Sequence, residues 1–210
     1  MLIPFDDLFR RHRIQATECL HIGANTGQEA EAYTKHGIRT VVWIEAERHT
    51  FEKLVMNVGN LVGHVCLRAC VSDVDGKEVE FHVANNNGQS SSILEFGTHA
   101  VEHPTVQFVQ NIRMRTSRVD TLLRAAGITF QDGAFLNIDL QGAELLAMKG
   151  MGALLPKFSH IYVEVNREEL YKGCPLVGDI DQYLAHLGYE GKDEHWTGSG
   201  WGDKYYQKVK

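Results

Sequence analysis

Three acids close, or nearly close, runs of apolar residues. Glu45 ends residues 40–45, Asp139 ends residues 134–139, and Glu164 lies near the end of residues 158–165. A carboxylate at the end of a buried strand is costly unless it is paired or used. Two uses suit it: accepting both hydroxyls of a ribose, or taking a proton from a nucleophile. Glu45 suits the first. Asp139 is the first candidate for a general base, with Glu144 and Glu164 next. Glu144 has a plainer alternative, because an acid in the first turn of a helix answers the helix dipole.

A second stretch, residues 18–29, gives Glu45 a partner. Cys19, Leu20 and Ile22 read as a short buried strand, and Gly23, Ala24, Asn25, Thr26 and Gly27 read as a turn. Gly23 can take backbone angles closed to other residues, and Gly27 would let a ligand approach the main chain. Thr26 and Glu29 have capping-box spacing, which predicts a helix starting there. Its first N–H groups would point at whatever lies over the turn. Glu45 follows Gly23 by roughly twenty residues, the offset of a ribose-binding acid. A tight strand-to-helix turn with no ligand is the alternative. Counting from Gly23, a dinucleotide fingerprint would need glycine where Asn25 and Gln28 stand. No Gly-Lys-Ser/Thr follows. A single nucleoside without phosphates, such as S-adenosylmethionine, fits these residues better.

The elements around these residues alternate between strand and helix. Residues 4–13 form an amphipathic lead-in helix through Phe5, Leu8 and Phe9. The helix after the turn runs to about His36 and stops at Gly37; the next runs from Arg48 to Asn57 with Phe51, Leu54 and Val55 inward. Residues 64–70 are a third strand, followed by a hairpin-like excursion through Val79, Phe81 and Val83. Residues 84–104 are irregular, with a polar run, 85–92, that is either a solvated loop or a lid. Arg113, Arg115 and Arg118 are either a solvated row or a clamp for an anionic substrate. Asp120 should cap a short helix ending at Gly127. The alternation implies an α/β fold, a mostly parallel sheet with helices on both faces. Gly23, Glu45, Asp139 and Glu164 should then meet at the carboxyl rim of the strands.

At 210 residues and 43% hydrophobic content, the chain can bury one substantial core, so residues 1–210 are expected to form one domain. A net charge of −6 argues against a broad nucleic-acid footprint. No apolar run approaches the roughly 18 residues of a membrane span. Asp6 and Asp7 interrupt any signal-peptide layout. Cys19, Cys66, Cys70 and Cys174 include no C-x-x-C pair, which points to reduced thiols and a cytoplasmic protein. Eleven histidines show no ligand spacing, so the sequence gives a metal site no support.

Six blocks together resemble the FkbM-type methyltransferases: residues 20–27, 43–46, 69–76, 89–92, 136–145 and 200–203. The resemblance runs from Pro4 to about Tyr206. It implies a three-layer α/β/α, Rossmann-like class I methyltransferase fold, with a mostly parallel seven-stranded sheet whose last strand is antiparallel. It implies S-adenosylmethionine as cofactor and O-methylation of a sugar, glycan or natural-product hydroxyl. Carried over by position, Gly23, Ala24, Asn25, Thr26 and Gly27 wrap the methionine half. Glu45 and Ala46 lie at the ribose, Cys70, Val71 and Ser72 near the adenine, and Asp139 beside the transferred methyl. Two positions depart from the pattern: His21 stands where an acid is common, and Lys204 where a small residue is expected. Two rivals are a non-catalytic nucleoside-binding interaction module presenting the 85–92 loop and a small NAD(P)-dependent reductase.

Overall fold

The computed structural model describes residues 2–209. Its strands are β1 (Glu18–Ile22), β2 (Thr40–Glu45), β3 (His64–Arg68), β4 (Cys70–Val71), β5 (Glu78–Ala84), β6 (Phe108–Ser117), β7 (Ala134–Ile138), β8 (Phe158–Asn166), β9 (Tyr189–Trp196) and β10 (Trp201–Lys208). Its helices are α1 (Phe5–His12), α2 (Ala30–Lys35), α3 (Arg48–Val58), α4 (His99–Glu102), α5 (Val119–Ala125), α6 (Glu144–Met151) and α7 (Val177–His186).

Seven strands form the main sheet in the order β3-β2-β1-β7-β8-β10-β9. The pairs β1–β2, β1–β7, β2–β3 and β7–β8 are parallel, while β10 runs antiparallel to both neighbours. This is the sheet the family resemblance implied, with the last strand reversed. Strand order turns back beside β1, so a crevice opens between the ends of β1 and β7. Ile22 pairs with Ile44 on one side and Ile138 on the other. The following residues, Gly23, Glu45 and Asp139, therefore lie level on one rim. Glu164 and Asp203 continue that rim, facing each other across β8 and β10.

Each face of the sheet is covered by helices. On one, Phe5, Tyr33, Trp43, Phe135 and Tyr162 pack together, bringing in α1, α2 and α3. On the other, Leu20, Leu136, Met148, Ile161 and Leu184 bury α6 and α7 against the strands. Helix α1 follows its sequence: acids in the first turn, bases in the last, and Phe5, Leu8 and Phe9 inward.

Several boundaries differ from the sequence reading. Helix α2 begins at Ala30 with no side-chain cap, so the Thr26–Glu29 capping box does not form. The amides of residues 23–25 bond to β2, and those of Thr26 and Gly27 bond back within the turn. Helix α3 is capped by Glu47, whose carboxylate accepts from the His49 and Thr50 N–H groups; its inward residues are Thr50, Leu54 and Val58, and Val55 is exposed. Asp120 caps nothing, because its carboxylate holds the Arg118 guanidinium at 3.0 and 2.8 Å. The third strand breaks after Arg68, and Cys70–Val71 joins a separate sheet of order β4-β6-β5. Strands β5 and β6 there form the expected antiparallel excursion.

Candidate active site

The carboxyl rim opens into a cavity of about 390 Å³, within the size range of small-molecule sites. Gly23, with φ +79°, is required there because the backbone of Asp139 leaves no space for a side chain. The turn's amides are already used. Gly23 and Ala24 N–H both donate to the Ile44 carbonyl, at 2.9 and 3.0 Å, and Asn25 N–H donates to Glu45 Oε2 at 3.0 Å. The expected cradle of free amides is therefore absent at Gly23, Ala24 and Asn25.

Glu45 is the hub of this corner. Its other oxygen, Oε1, accepts from Ala46 and Glu47 N–H at 2.8 and 2.9 Å. Burial pushes its carboxyl up to about 7, although the three N–H donors oppose that shift. Oε1 has both of its acceptor sites filled, while Oε2, with one donor, keeps one free for a hydroxyl. Gly23, Ala24, Asn25, Ala46, Cys70 and Val71 line the cavity with it.

Three of the expected cofactor contacts fall outside the lining. Thr26 faces away; its carbonyl accepts from Asn57 Nδ2. Gly27 is needed for packing, since a Cβ there would meet Val58 Cγ1 at 2.8 Å and Leu54 Cδ1 at 2.9 Å. Ser72 is buried with its carbonyl against Gly150 of α6.

At the other end, Gln141 Nε2 donates to Asp139 Oδ1 at 2.6 Å and lies 2.9 Å from Glu164 Oε2. Tyr171 O–H donates to Gln141 Oε1 at 2.6 Å and fixes the amide. Burial raises the Asp139 carboxyl to about 6, with the Gln141 bond opposing and Asp203 adding to the shift. Glu164 is held well above the usual carboxylate range by burial and by Asp139, Glu144 and Asp203. Asp139 is thus the carboxyl that ionises more readily. Glu144 does not line the cavity. It is fully buried, and its Oε1 accepts from Leu140 and Gly142 N–H at 2.9 and 3.0 Å, shaping the turn below Asp139. Carboxylate oxygens of Asp139, Glu144 and Glu164 lie within 4.8 Å of one another. Histidine spacing gave no sign of this grouping.

Other residues reach the cavity without having been foreseen. Glu29, assigned to a cap, comes within 3.8 Å of His21 Nδ1 and lines the crevice. Burial lowers His21 to about 3, so the imidazole is neutral at pH 7. At the position where the resemblance led to an acid being expected, this chain has a neutral ring, and Glu29 brings a carboxylate to the same corner. Asp203 accepts from Tyr162 O–H at 2.5 Å and from Leu2 N–H. Alternation along residues 201–205 could have predicted Asp203's face. The same alternation turns Lys204 away, to Asp181 at 2.8 Å.

The polar run 85–92 forms one wall. Ser90, Ser91 and Ser92 line the cavity, Ser92 O–H donates to the Gln141 carbonyl at 2.8 Å, and Asn25 Nδ2 donates to the Asn87 carbonyl at 3.3 Å. The arginine row does not reach it. Arg113 is exposed, Arg115 pairs with Glu78 at 3.2 Å, and Arg118 pairs with Asp120. Among the described residues, no helix is long and apolar enough to cross a membrane.

The chain is similar to known proteins over most of its length. The 2-O-methyltransferase NoeI of Sinorhizobium fredii is 29% identical over 170 residues, covering 77% of this chain and 69% of that protein. A SAM-dependent methyltransferase from Aquifex aeolicus has a similar fold, with TM-score 0.51 and 12% identity over 99% of this chain and 91% of that one. So does TrmK of M. capricolum in complex with S-adenosyl-homocysteine, with TM-score 0.52 and 11% identity over 100% of this chain and 70% of that one. The model of the methyltransferase FkbM domain matches residues 21–190. These findings set the reductase and the non-catalytic module aside: the chain belongs to the FkbM methyltransferase family.

Proposed function

We propose that this chain, acting as a single domain, transfers the methyl group of S-adenosylmethionine to a hydroxyl oxygen of a small molecule or glycan. The observation that carries the reading is one crevice with Glu45 at one end and Asp139 at the other, on strands flanking Gly23. The 2-O-methyltransferase name of the NoeI relative supports oxygen as the acceptor atom.

The donor set matches the cofactor. Glu45 would hold the ribose by accepting one hydroxyl at Oε2. Glu29, partly buried at the Gly23 corner, would face the ammonium. Ala46, Ala69, Cys70 and Val71 offer small and apolar surface for the base. When bound, the cofactor supplies an electrophilic methyl and a good thioether leaving group. Little acid catalysis is then needed, and positioning supplies most of the rate. Asp139 takes the proton of the acceptor hydroxyl as the new oxygen–carbon bond forms. Gln141 orients Asp139 and Tyr171 orients Gln141. Glu164, the harder of the two to ionise, leaves the negative charge on Asp139. The wall at 88–93 shields the site from water. The same reading places the protein in the cytoplasm, where its four thiols stay reduced.

The test is incubation with methyl-labelled S-adenosylmethionine and a small-molecule and glycan extract. Label in an alkali-stable ether on oxygen supports the reading. Label on nitrogen, or nicotinamide oxidation without label transfer, overturns it.

A further inference from the structure

The cavity wall carries charge of one sign. Glu29, Glu45, Asp139, Glu164 and Asp203 line it, and among the described residues no lysine or arginine does. Glu29 and Glu45 belong to the cofactor corner. Asp139, Glu164 and Asp203 occupy neighbouring positions on the rim formed by β7, β8 and β10. Their partners are neutral: the Gln141 amide, the Tyr162 hydroxyl and the Leu2 backbone N–H. Among the described residues, the nearby lysine and arginine side chains are engaged elsewhere. Arg167 lies over the Trp196 ring at 3.8 Å, and Lys204 pairs with Asp181 and Glu194. Three histidines, His21, His99 and His103, line the cavity; burial lowers His21 and His99, so neither offers a positive charge at neutral pH, and the His103 ring lies against His99 at 4.9 Å.

The facing wall is polar and uncharged, with the hydroxyls of Ser90 and Ser91 and the Gln89 amide; the Trp201 ring adds a flat apolar surface. Amides and hydroxyls bond sugar hydroxyls, and an aromatic face packs on the C–H face of a sugar ring. An anion brought here would lose its water and meet carboxylates with no lysine or arginine among the described residues to compensate. The donor's own carboxylate is different, because its ammonium and sulfonium accompany it.

We infer that the acceptor site takes a hydroxyl on a unit without negative charge, in the simplest case an uncharged sugar ring, and rejects units carrying a carboxylate, phosphate or sulfate beside that hydroxyl. This rests on the methyl-transfer reading above. Discrimination comes from the acids of β7, β8 and β10, not from a shape fit.

The test has two arms. In the first, label incorporated from methyl-labelled donor into extract is hydrolysed to single units and passed over an anion exchanger at neutral pH. Label in the unbound fraction is expected, and label retained as an anion overturns the inference while leaving methyl transfer standing. No label in any fraction overturns methyl transfer and the inference with it. In the second, matched methyl uronosides and their uronamides are compared as acceptors. The uronamide is expected to exceed the uronate at least ~100-fold in kcat/KM. Gln89→Lys, at an exposed position on the facing wall, should narrow that ratio at least ~10-fold. A uronate turned over as well as its amide by the wild-type enzyme overturns the inference.

Discussion

A Cβ placed on Gly23 would lie 1.7 Å from the carbonyl oxygen of Asp139. The Glu45 corner and the Asp139 corner thus touch through a backbone contact that only glycine permits. Gly37 provides the control, because its φ of +83° is equally left-handed but nothing lies within 4 Å of its missing Cβ. Gly37→Ala should cost only the left-handed backbone penalty, about 1–2 kcal/mol. Gly23→Ala should cost more than about 4 kcal/mol or prevent folding. Denaturant unfolding of both variants checks this, and equal costs would remove the contact from the account.

In the proposed reaction Asp139 takes the proton, and Gln141, bonded to it, aims it. Asp139→Asn should leave binding of S-adenosylhomocysteine within about threefold and lower turnover at least ~100-fold. In the wild type, a base must be ionised to work, and burial has raised this one to about 6. Turnover should therefore rise with pH through about 6 and level off above it. A profile flat between pH 5 and 8, or an active Asp139→Asn, would take Asp139 out of the role.

Glu164 makes a stability prediction with a definite sign. Its carboxyl is raised well above its ordinary value in the folded protein. Between its unfolded value of about 4.3 and its folded value, the folded state holds the extra proton, so this group's contribution falls as pH rises. Glu164→Gln does not titrate. Relative to wild type, the variant should gain up to about 1.4 kcal/mol per pH unit above pH 4.3, until the folded pKa is passed. Unfolding both proteins at pH 4, 5.5 and 7 measures it. A difference that does not change with pH contradicts a raised Glu164.

Much of this arrangement is readable before folding. Apolar runs ending in Glu45, Asp139 and Glu164 mark strands because burying an acid needs a reason, and parallel strands starting level bring their ends to one rim. What the chain order hides is side-chain direction across elements. Gly27 looks like a ligand contact until α3 is seen packed on it, and Glu29 looks like a cap until α2 starts at Ala30. Asp203 lies 64 residues after Asp139 in sequence, and only the antiparallel return of β10 sets it opposite Glu164. Arginines 113, 115 and 118 show the converse. They form a row in sequence, but their strand and turn lie away from the crevice.

The proposed role of Glu45 is to hold the ribose of an adenosyl cofactor in this crevice. Calorimetric titration with S-adenosylhomocysteine tests it most directly, on wild type and on Glu45→Gln, with NAD as the competing ligand. The expected result is one adenosyl site per chain, weakened at least ~10-fold in the folded variant, with no heat from NAD. No adenosyl binding to the folded wild-type protein, or affinity unchanged by Glu45→Gln, would contradict it.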